Sequence, residues 1–85
     1  MTYSELYEHF RGKFASAKPH HLEGVGIELR RPQSNRCLQI TIDGDLFGVI
    51  PTSASTETKP EGRSISYRTL EALDRRIEEF LAGTE

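Results

Sequence analysis

Cys37, His9, His20 and His21 are the side chains of this chain best suited to attack a substrate, move a proton or hold a metal. A thiolate beside an imidazole is an activated nucleophile, so Cys37 with any one of the histidines is a candidate pair. The local pattern argues for something plainer. Cys37 stands at the start of an alternating apolar run, with neither a helix N-terminus nor a strand-to-helix elbow to activate it, and reads as a small half-buried strand residue. His20 and His21 are adjacent, and successive side chains of an extended segment point opposite ways, which makes joint chelation of one ion awkward. Asp43-Gly44-Asp45 opens like a calcium loop, but Ala54 occupies the twelfth position, where such a loop needs its bidentate acid. Phosphate-cradling glycine loops, HExxH and GxSxG do not occur. No catalytic residue, cofactor or metal site is therefore expected, and the chain reads as non-enzymatic.

Composition narrows the class further. Eighty-five residues leave room for one domain, residues 1–85. Charged residues are 28% and the net charge is −2, which fits neither a disordered polyanion nor a basic nucleic-acid coat. A single cysteine excludes an intrachain disulfide and a thiolate-built zinc cage. No run of about 18 apolar residues is present, so no membrane span is expected. Met1-Thr2-Tyr3-Ser4-Glu5 lacks the basic and apolar regions of a secretory signal, and a soluble cytoplasmic protein is the expectation.

Apolar spacing assigns the elements. Tyr3, Leu6, Tyr7, Phe10, Phe14 and Ala17 recur at three- and four-residue steps, predicting a helix from Tyr3 to Ala17 that must end before Pro19. Thr2 and Glu5 have the spacing of a capping box. A Lys18-to-His21 connector follows, and then the period becomes two. Val25, Ile27 and Leu29 mark a first strand, and Leu38, Ile40 and Ile42 a second. Asp43-Gly44 predicts a type I′ hairpin into a third strand, Leu46 to Ile50, which Pro51 should end. Residues 51–64 read either as a long functional or mobile loop, or as a fourth strand, Ser53–Thr58, paired through Lys59-Pro60-Glu61-Gly62 with Arg63–Tyr67. Leu70, Leu73, Ile77, Phe80 and Leu81 form the stripe of a final helix, with Ser66 or Thr69 as cap and Gly83 just beyond its end. The fold class is therefore α+β: N-terminal helix, three- to four-stranded antiparallel sheet, C-terminal helix, both helices packed on one sheet face. A chain this small with neither disulfide nor metal is commonly marginal, and self-association is one remedy.

The third strand differs from the other two. Phe47 and Val49 point one way while Leu46 and Ile50 point the other, around Gly48. A strand apolar on both faces is normally covered on both. With the helices on one side, Leu46 and Ile50 need cover from a second copy, another protein or the hydroxyl-rich segment. The alternatives are a bulge at Gly48 that switches the facing, or helices divided across the sheet.

Charge is polarised along the chain. Residues 11–36 carry six basic side chains against Glu23 and Glu28, net +4, and residues 37–58 carry three acids and no base, net −3. Arg30, Arg31 and Arg36 flank the first strand loop, where converging guanidinium forks would suit phosphate or carboxylate, or would simply be solvated.

The order helix–three strands–helix resembles that of double-stranded-RNA-binding domains. That family opens its last helix with a lysine-rich cluster, whereas Tyr67-Arg68-Thr69-Leu70-Glu71 here has one base and one acid, and residues 51–64 exceed the corresponding connection. The likeness covers element order and no motif, which is thin support for a shared function.

The leading expectation is a stand-alone protein-interaction module of adaptor, inhibitor or immunity type, working through Leu46 and Ile50 with Arg30, Arg31 and Arg36. Its expected partner is another protein or a second copy of itself as a homodimer. The alternative is a small nucleic-acid-binding module using Arg30, Arg31 and Arg36, joined by Lys59 and Arg63.

Overall fold

Thr2 starts the first helix as its spacing to Glu5 predicts. The Thr2 hydroxyl accepts the Glu5 amide at 3.2 Å and the Glu5 carboxylate accepts the Thr2 amide at 3.0 Å, so two donors at the helix start are satisfied reciprocally. Helix α1 spans Tyr3–Lys13 and buries Leu6 and Phe10. It ends earlier than the apolar spacing predicts. Phe14 leaves the helical region (φ −124°, ψ 45°), Ala15–Ala17 form a single 3-10 turn, and Lys18 closes it in the left-handed conformation at φ 49°. A 3-10 turn brings residues three apart onto one side. Phe14 and Ala17 are both buried there.

The computed structural model of the chain describes residues 1–22, 24, 26–53, 59–60 and 64–83, with the backbone alone at 53, 59 and 60. Among the described residues six strands follow the first helix: β1 (His20–Leu22), β2 (Gly26–Arg30), β3 (Arg36–Asp43), β4 (Leu46–Ser53), β5 (Lys59–Pro60) and β6 (Ile65–Tyr67). Helix α2 covers Leu70–Leu81. All the strand pairings are antiparallel, in the order β1-β2-β3-β4, with β5 and β6 following one another along the far edge of β4. The sheet is therefore five positions wide, broader than the three or four expected.

Three local expectations change. The His20-His21 connector is an edge strand, because His20 pairs with Glu28 and Leu22 with Gly26. The β3–β4 hairpin turns at Gly44-Asp45, since Asp43 still pairs with Leu46. Only Gly44 has positive φ there, 60°, which is the pattern of a type II′ turn, where the sequence suggested type I′ at Asp43-Gly44. Pro51 does not end its strand. It pairs with Leu38 on one side, and among the described residues the pairings on the other side skip it, where a missing amide does no harm.

Lys59-Pro60, expected inside a turn, instead pairs with Ser53 and Thr52, and Ile65–Tyr67 with Val49–Phe47. The chain gains two residues on β4 between these pairings: five steps from Pro60 to Ile65 lie opposite three from Thr52 to Val49. The proposed Ser53–Thr58 strand and the cover offered by the hydroxyl-rich segment fall mostly outside the described residues, as do Val25 and Arg63.

Alternation sorts the sheet into two faces. Leu29, Leu38, Ile27, Ile40 and Val49 point to one, where Leu6 and Phe10 of α1 and Leu73, Ile77 and Phe80 of α2 close over them. Ile42, Phe47, Tyr67, Leu70 and Leu81 ring this core half-buried. Both helices thus share one face, as the α+β reading expects. Thr69 caps α2 by accepting the Ala72 amide at 3.1 Å, and Gly83 beyond its end has φ 77°. No described helix is long and apolar enough to cross a membrane.

Candidate interaction face

The face turned away from the helices is laid out in rows by cross-strand pairing. Arg30, Cys37 and Thr52 make the first row, and His20, Glu28, Gln39 and Ile50 the second. The third runs through Leu22, Gly26, Thr41, Gly48 and Ser66, and the fourth holds Asp43 and Leu46. Leu46 and Ile50 are half-buried there, as are Leu22, Gln39 and Thr41, while Arg30, His20 and Asp43 are exposed. Pairing from Asp43–Leu46 to Arg36–Ser53 is continuous, so no bulge at Gly48 switches the facing between β3 and β4.

The third row is a floor. Thr41 lies across it, and a Cβ at Gly48 would come within 2.6 Å of the Thr41 hydroxyl. Gly26, at φ 139°, has no room for a side chain either, because a Cβ would collide with the Ile40 carbonyl. At both positions neighbouring atoms already fill the space a side chain would take, with Thr41 beside each and Ser64 Oγ 3.7 Å from the Gly48 position. Beside the fourth row, Asp43, Asp45, Leu46 and Arg68 line a hollow of about 450 Å³.

The three arginines gather at one end of the sheet but not on one face. Arg30 alternates onto the face with Cys37 and is exposed. Arg31 turns to the helix side, where its Nε donates to the Phe80 carbonyl at 2.9 Å and its guanidinium stacks over the Phe80 ring at 4.6 Å. It adds a second donor to a carbonyl of the last turn of α2 that already accepts the Gly83 amide at 3.1 Å, at an end where a cation also meets the helix dipole favourably. Arg36 is exposed and, by alternation, points with Leu38 toward the helix side.

Cys37 is more buried than its sequence context suggests, at 1% exposure, and its thiol donates to the Asn35 carbonyl at 3.8 Å. His9, one of its candidate partners, lies across the sheet and is engaged elsewhere. Its Nε2 sits 3.0 and 2.9 Å from the two carboxylate oxygens of Asp74, and Lys13 Nζ donates to the same group at 3.3 Å. Asp74 holds the Lys13 ammonium above the ordinary lysine range through that hydrogen bond and its charge, with Glu78 adding to it. Sequence reasoning passed over this clasp between the helices. The available signal was Asp74 itself, an acid three residues before Ile77 and four after Leu70, inside an apolar stripe. Among the described residues, no group of three or more His, Cys, Asp or Glu side chains is placed to hold a metal ion. Searches against protein-family models, curated proteins and solved structures returned no match.

Proposed function

We propose that the chain is a non-enzymatic protein-interaction module of the cytoplasm, of adaptor, inhibitor or immunity type, that works through the helix-free face of its sheet around β4. One observation carries this reading. Leu46 and Ile50 stand half-buried on a face that no described helix covers, on the strand that pairs with β3, β5 and β6. Half-buried apolar side chains spread along one strand favour a docking surface over a substrate pocket. The division of Arg30, Arg31 and Arg36 between faces gives the nucleic-acid alternative no comparable support.

The test is site-specific photo-crosslinking in cells, with the probe at Ile50 or Leu46 and a control probe at the exposed Glu71 on α2. The expected result is one discrete adduct from the sheet positions, absent from the control and lost in Leu46→Glu. Ile50 and Leu46 probes that give no adduct, or the same ladder as Glu71, would rule the face out. Leu46→Glu should shift the unfolding free energy by no more than about 1 kcal/mol, since the site is only half-buried.

A further inference from the structure

We draw no further inference here: the strongest candidate, the hollow at the β3–β4 hairpin end of the sheet lined by Asp43, Asp45, Leu46 and Arg68, rests on exposed side chains of both charges, and nothing in the structure shows what covers it.

Discussion

Thr52 shows what a single side chain on the helix-free face does to stability. It is 1% exposed and its hydroxyl has no hydrogen-bond partner among the described residues. A buried hydroxyl in that state costs about 1–3 kcal/mol relative to a satisfied one. Thr52→Val keeps the shape and removes the orphaned group. It is expected to be neutral or to raise the unfolding free energy by about 1 kcal/mol, read from urea midpoints at constant m-value. A loss of more than 1 kcal/mol would mean that the hydroxyl is satisfied in solution. Neither Thr52 nor its neighbour Cys37 is legible as buried from the sequence. Alternation places both away from the helices, and only the paired rows reveal how closely they are hemmed in. Leu46 and Ile50 are different: their facing follows directly from period two, and the structure keeps it.

Between elements, the bond from His9 to Asp74 joins the two helices independently of the apolar core. Residues in direct contact couple by about 0.5–3 kcal/mol, so a double-mutant cycle on His9→Ala and Asp74→Ala should return a favourable term of about 1 kcal/mol or more. Additive losses would show that the clasp is incidental. Asp74→Ala alone should be the more damaging change, because it takes the shared carboxylate from His9 and from Lys13, of which only Lys13 keeps another acid, Glu78. Elements were legible wherever one signal dominated. The capping box fixed the start of α1, and the stripe from Leu70 to Leu81 matched α2. Where two signals competed, the tertiary partner decided. His20-Leu22 has no alternation of its own and becomes a strand because β2 offers it an edge. Pro51 looked like a stop and was not one, because a single missing donor falls between two pairings.

At the scale of the whole molecule, stability depends on pH through groups at both ends of the range. Hydrogen bonding with Thr2 holds the Glu5 carboxyl below its ordinary value, so its contribution is present above the unfolded value and fades as pH falls through the folded one. Lys13 is raised by Asp74, so its contribution is present below the unfolded value and fades as pH rises through the folded one. The stability difference between the unaltered protein and Glu5→Ala should therefore shrink below about pH 4, and that for Lys13→Met above about pH 10. Denaturant titrations at several pH values check both. A difference that stays flat across the acid limb would remove the carboxylate from the account. The α+β architecture with both helices on one side was readable from pattern alone, because two amphipathic helices and a one-faced sheet have few other ways to hide their apolar sides. Strand count was not, since short edge pieces such as Lys59-Pro60 carry no period.

The pairing of β6 on β4 sets Tyr67 on the helix side and Ser66 on the other. A one-residue slip of β6 along β4 would exchange them, pulling an aromatic ring out of the core and putting a hydroxyl in its place. A strand of three residues at the end of the sheet is therefore held to one register by what its middle and last side chains must meet.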